Sequence, residues 1–380
     1  MGKLNKYIVA AAAISCLATA SSCSGPHIEI RPFGTLSDGR ETRLFRLTNT
    51  SGAYMEVCDY GARIVSIHVP DRRGELDDVI VGYGTAEDFE QGPDRFIGCI
   101  LGRYCNRIDG ACITIDGCEY RLEANETLGG KPVHCHGGFD GFDRKLWRAE
   151  PLHREDRVGI RMHYLSPDGE GGYPGNLDCR VTYWWSNENV CRVEYEATTD
   201  APTVINLSNH AYFNMKGSRA GYVMEQTLQV EADSCIQNNA QFCPDLVRTV
   251  DNSPFDFREP HRIDYRIDMP DEHLRIMRGM SACWKIRGWD GSLRRAARLE
   301  DTGSGRGAEI WTTEPAFLIY TGRSFDGRAK GKYGPIQKFN GMVLETLHFA
   351  DSPNQERFPS TLLRPGERYR SSTEWRFFSK

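Results

Sequence analysis

The sequence predicts an all-β fold, one large sandwich of mostly antiparallel strands with few short helices. Three observations predict it. In CRVEYEAT, residues 191–198, Cys191, Val193, Tyr195 and Ala197 share one face while Arg192, Glu194, Glu196 and Thr198 share the other, and CRVTYWW at 179–185 repeats the device. A period of two is the signature of a half-buried strand, here antiparallel. ITIDGCEYRL, residues 113–122, sets Asp116 and Gly117 between two alternating runs, the strongest short-range hairpin signal. Finally, no linker, repeat or charge block divides residues 30–380. Length alone allows two or three domains, but all-β domains often run long as single units, so residues 35–380 read as one.

The chain opens with Lys3 and Lys6 ahead of an apolar stretch from Tyr7 to Ala20, then small residues before Cys23. That is an export signal over residues 1–22, too short to remain as a membrane span. Cys23 then reads as the lipid-bearing first residue of an exported bacterial lipoprotein facing the periplasm, with residues 23–34 as its tether. Cys16 is a poorer lipid site, because cleavage there leaves a very short apolar segment. Ordinary secretion, with Cys23 as a tail residue, is the alternative. Loss of residues 1–22 removes two lysines and moves the formal charge from −5 to −7. A net acidic chain argues against nucleic acid as a partner. No later segment is apolar for long enough to span a bilayer, so membrane contact is expected only through the lipid.

Of thirteen cysteines, eleven lie in the folded part, scattered and without a CxxC pair. Neither a zinc site nor a full disulfide framework follows. Cys112, Cys179 and Cys191 fall at inward strand positions, where a thiol packs as a small hydrophobe. For an exported protein this suggests a poorly oxidising environment.

Further along, SLRRAARLED at 292–301 has helical propensity but alternating neighbours, and is read as strand. GSGRG at 303–307 is a strand-connecting loop and not a phosphate cradle, since no helix follows it.

Several polar residues do not fit a core. In VINLSNHAYFNM, residues 204–215, a period of two puts Asn206, Ser208, His210 and Tyr212 on one face, which suits the wall of a wet cavity. For His210 the alternative is a hydrogen-bonded structural histidine. HCHGGFDGFDRKLW, residues 134–147, carries His134 and His136 two apart, a spacing open to metal ligation but with no third ligand nearby. GRYCNRIDG brings in Arg103 and Arg107, which are ordinarily surface or ion-pair residues. MVLETLHFADSPN, residues 342–354, sets Glu345 in an otherwise buried strand. Burial of a carboxylate costs several kcal/mol or raises its pKa. Such a group is either a base tuned by its surroundings or a structural carboxylate satisfied by Arg107 or backbone donors.

GRYCNRI, HCHGGFDGFDRKLW, SPDGEGGYPGNLDCRVTY, INLSNHAYFN, TTEPAFLIYTG and LETLHFADSPNQERFPSTLLRPGERYRSSTEWRF occur in an order that resembles the aldose 1-epimerases, the galactose mutarotases, over residues 35–378. The resemblance implies a single-domain β-supersandwich of the galactose mutarotase type, a sugar cleft on one sheet face and no cofactor. It implies that Glu345 takes the proton from the C1 hydroxyl, that His210 protonates the ring oxygen, and that His136 and Arg107, with the neighbouring Asn106, hold the sugar. Interchange of anomers requires only a proton removed at O1 and one delivered at O5, so two groups trading protonation states suffice.

The family pattern breaks at GMSACW, residues 279–284, where Ser281 stands for a sugar-binding aspartate and Ala282 for the following histidine. A hydroxyl in place of a charged acceptor forfeits about 1–2 kcal/mol, roughly tenfold in affinity. A weaker mutarotase, a shifted sugar preference, or a sugar-binding lipoprotein without activity are the three readings. Asp290 would substitute if its loop folded back, and Leu347 and Glu314, in place of family glutamines, are expected to alter the pocket rim. Epimerisation of a sugar phosphate would call for extra cations at the cleft mouth, and export argues against it.

Overall fold

The structure, a computed structural model, describes residues 25–219 and 221–380; Cys23, Cys16 and the export segment lie outside the described residues. The alternating segments pair as expected. Leu177–Ser186 lies antiparallel between Arg157–Ser166 and Val190–Thr199, and this ladder continues through Tyr369–Ser379, Arg306–Thr312 and Arg294–Glu300 into a nine-stranded sheet. Arg294–Glu300 is strand, and residues 301–305 are the loop that joins it to Arg306–Thr312. Asp116 and Gly117, with φ of 51° and 80°, close the hairpin between Cys112–Ile115 and Cys118–Arg121.

A seven-stranded antiparallel sheet packs against the first, and includes Ser234–Asn238, Ser281–Lys285, Ala316–Tyr320, Met342–Leu347 and Tyr212–Phe213. Val181, Tyr183, Val193, Tyr195 and Trp375 from one sheet meet Trp284, Phe317, Ile319, Met342 and Leu344 from the other in a single buried cluster. The outer face of the larger sheet is a charge ladder, with Glu196 opposite both Arg180 and Arg370 and Glu374 opposite Arg192. Only two short helices, Ala86–Gln91 and Glu272–Met277, occur among the described residues. No helix there is long and apolar enough to cross a membrane.

Three expectations need correction. The fold starts before residue 35: His27–Thr35 pairs with Glu41–Thr48 from His27↔Thr48 to Thr35↔Glu41, so the stretch 27–34 is an edge strand and not a tether. Cys112 is only half-buried, because Ile113 and Ile115 are the inward residues of its strand; Cys179 and Cys191 are buried as expected, and all eleven cysteines described are free. Residues 204–215 are not one continuous strand but three two-residue pieces, buried throughout.

Candidate active site

The strand Met342–Leu347 is buried on both faces, and alternation decides what each side chain meets. Met342 and Leu344 enter the inter-sheet core, while Val343, Glu345 and Leu347 point the other way. There Glu345 sits opposite Leu318, which sits opposite Cys283, and the next row runs Val343, Tyr320, Ser281. These rows form the floor of a cavity of about 330 Å³, at the lower end of the range for small-molecule sites, roughly 300–1,000 Å³.

Glu345, His210, His136, Arg107, Asn106 and Ser281 all line this one cavity. Arg107 does not neutralise Glu345: its Nε and Nη2 donate to Glu126 at 2.7 and 3.1 Å. The contact to the Glu345 carboxyl is the Cys105 thiol, 3.8 Å from Oε1. With apolar neighbours and no cation paired to it, burial pushes the Glu345 carboxyl up to about 8, against the lesser pull of Cys105 and Arg107. A carboxylate satisfied by Arg107 is therefore not what the structure contains.

His210 is buried, its Nδ1 without a hydrogen-bond partner among the described residues, and burial pushes it down to about 3. Its ring stands perpendicular to that of His136, with centroids 5.4 Å apart, and Phe96 lies 4.8 Å from His136. Asn106 and His136 are locked together. The Asn106 N–H donates to His136 Nδ1 at 3.1 Å, and the His136 N–H donates to the Asn106 carbonyl at 3.0 Å. Since Nδ1 accepts, the neutral ring carries its proton on Nε2, and burial holds this ring well below its ordinary pKa. Both residues adopt left-handed backbone, φ 66° and 52°. Next in the chain, Gly137 at φ 91° passes so close to residue 102 that a Cβ would lie 1.9 Å from the Gly102 carbonyl oxygen.

Other polar residues are structural. His134 Nδ1 donates to the Glu123 carbonyl at 2.7 Å and Nε2 accepts from the Tyr173 hydroxyl at 2.6 Å, so it is a neutral core histidine pushed down to about 4. Arg103 donates to Ser166 Oγ and to the carbonyls of Pro167, Pro174 and Gly175. Asn206 bridges the carbonyls of Cys105 and His348, and Ser208 donates to the Thr346 carbonyl, so only His210 and Tyr212 of the expected face reach the cavity. Asp290 is exposed and bound to Arg294, and it cannot replace the acid missing at Ser281. Nor do Glu314 and Leu347 alter the rim. Glu314 is buried in a pair with His348, and Leu347 packs in a hydrophobic cluster with Phe349.

Three further charged residues of the cavity could not be read from the sequence: Asp94, whose carboxyl burial raises to about 6, Glu126 and Arg323. Each sits in a polar local context that reads as an ordinary loop or strand edge. Only the fold brings them inward.

A supersandwich carrying a buried carboxyl and imidazole on one sugar-sized cavity, neither of them paired to an opposite charge, defines a carbohydrate isomerase of the acid–base kind. Comparison with known proteins agrees. Residues 43–376 match the family model described as aldose 1-epimerase. A galactose mutarotase from Mus musculus is 34% identical over 353 residues, 91% of this chain and 97% of that protein. An aldose 1-epimerase from Escherichia coli K12 is 30% identical over 346 residues, 90% of this chain and 97% of that protein. The crystal structure of an aldose epimerase homologue from C. elegans superposes with a TM-score of 0.76 at 26% identity, covering 87% of this chain and 96% of that one. The chain belongs to the aldose 1-epimerase family.

Proposed function

We propose that the protein interconverts the α and β anomers of an aldohexose, with galactose and glucose the first sugars to test, through Glu345 and His210. The observation that carries this reading is the placement of both groups on one cavity with no strong partner to neutralise either. Glu345 takes the proton from the O1 hydroxyl while His210 delivers one to O5. The C1–O5 bond breaks, its electron pair leaving on O5, and C1 becomes an aldehyde. Rotation about C1–C2 and the reverse transfers close the ring on either face. His136, through Nε2–H, and Arg107 orient the sugar hydroxyls, with Asn106 setting the His136 tautomer.

Ring opening moves the pair's single proton from His210 to Glu345, which is where burial favours it. The resting pair is therefore set for ring closure, and ring opening draws on the reverse arrangement, with the proton on His210. Activity requires one proton on the pair, so the rate is level across neutral pH. It falls as the last proton leaves above about 8 and as a second is added towards about 3. Cys23 is the proposed lipid site, holding an exported enzyme at the membrane.

Relaxation of freshly dissolved α-galactose and α-glucose, followed by polarimetry, tests the reading. The mature protein accelerates relaxation and Glu345→Gln loses at least about 10²-fold, the usual weight of one acid–base group. Equal rates for the two proteins reject it, and binding without acceleration leaves only a sugar-binding protein.

A further inference from the structure

Two guanidinium groups line the cavity, and they are not equivalent. The charge of Arg107 is met by Glu126, which takes two of its five donors and leaves the others for sugar hydroxyls. Arg323 uses one N–H, from Nε to the Met277 carbonyl at 2.5 Å, and its other donors find no acceptor among the described residues. Its guanidinium carbon lies over the rings of Tyr320 and Phe242, 5.4 and 5.8 Å from their centroids. No carboxylate among the described residues pairs with it; burial disfavours its charge, and besides the Tyr320 and Tyr212 phenols the groups that act on it are two further cations, Arg107 and Arg278. Arg278 is exposed at the end of the helix Glu272–Met277. A half-buried cation with donors open to a cavity and no counter-ion is a costly arrangement unless something supplies the anion.

The adjoining wall points the same way. Ser281, Cys283 and Leu318 offer a neutral hexose one hydroxyl and no charged acceptor. Asp94 and Glu345, the cavity carboxyls with no basic partner among the described residues, are both raised by burial, and neither is among the main charges acting on Arg323.

Resting on the mutarotase reading above, we propose that the preferred substrate is an aldose bearing an anionic group bound by Arg323, a carboxylate or, against the expectation from export, a phosphate. A carboxylate matches two parallel N–H donors of one guanidinium. A phosphate would draw on Arg278 as well.

The test compares kcat/KM for anomer exchange of galacturonate, glucuronate, galactose 6-phosphate and glucose 6-phosphate with that of galactose and glucose. At least one anionic sugar exceeds its neutral parent about tenfold or more, and which arm responds identifies the anion. Arg323→Gln lowers that ratio at least about tenfold, chiefly through KM, Arg323→Lys retains part of it, and added salt erodes it. If Arg323→Gln fails to fold, Arg323→Lys and the salt dependence carry the test. Neutral sugars turned over as well as every anionic one, or a ratio unmoved in Arg323→Gln, overturns the proposal and leaves the mutarotase reading standing. No acceleration of any sugar overturns both.

Discussion

Glu345 occupies a position that favours its neutral form, and the cost falls on stability. Its ordinary pKa is 4.5, and burial raises it to about 8 in the folded chain. Below 4.5 the group is protonated whether folded or not. Between 4.5 and about 8 the unfolded chain releases the proton and the folded one keeps it, so stability falls as pH rises and levels off above that window. The slope is on the order of 1.4 kcal/mol per pH unit. Glu345→Gln carries no proton, so its melting temperature gains on that of the wild type steadily from pH 5 to pH 8. A difference constant with pH would show that Glu345 is not held neutral. This residue was legible because a charge interrupts an apolar run. Arg323 was not: in TGRS it resembles any loop cation, and its lack of a partner exists only once Tyr320, Phe242 and Met277 surround it.

Among the elements, those with one wet face announced themselves. Residues 191–198 alternate because one side packs on the core and the other meets water, while in 179–185 the outer Thr182 and Trp184 are covered, Trp184 donating to Glu194. Residues 204–215 misled for the opposite reason: burial on every side removes the contrast on which a period of two depends, so Asn206 and Ser208 looked like cavity residues when they bind carbonyls of neighbouring segments. The edge strand His27–Thr35 went unread because most of its residues are exposed, Ile30 among them at 51%, and because it shifts register between Pro32 and Gly34. At the loop that carries His136, close approach of Gly137 to the Gly102 carbonyl fixes the ring's position. Gly137→Ala forces that loop away and strains a left-handed residue. It is expected to cost about 2 kcal/mol or more of stability and to lower kcat/KM, measured by denaturant unfolding and anomer exchange. A variant with wild-type values in both would show that the contact does not hold the site.

At the scale of the whole molecule the two large sheets divide the labour. Their facing sides make the core, the far side of the smaller sheet carries the cavity, and the far side of the larger one is a solvated ladder of opposed charges. The division into sheets was foreseen from alternation and turn chemistry; which strands neighbour each other was not, because Val190–Thr199 pairs with Tyr369–Ser379 almost half the chain away. The proposed anchor belongs to this scale. Cys23→Ser is expected to move the protein from the membrane fraction to the soluble fraction and to abolish incorporation of labelled fatty acid; unchanged partition and labelling would remove the proposal. Because backbone pairing begins at His27, only three residues separate that cysteine from the first rung of the sandwich, four steps of chain and a leash of about 14 Å at full stretch. Such an enzyme would ride close against the headgroups, with its swing and tilt restricted, and would sample only sugars that arrive within a thin layer above the bilayer.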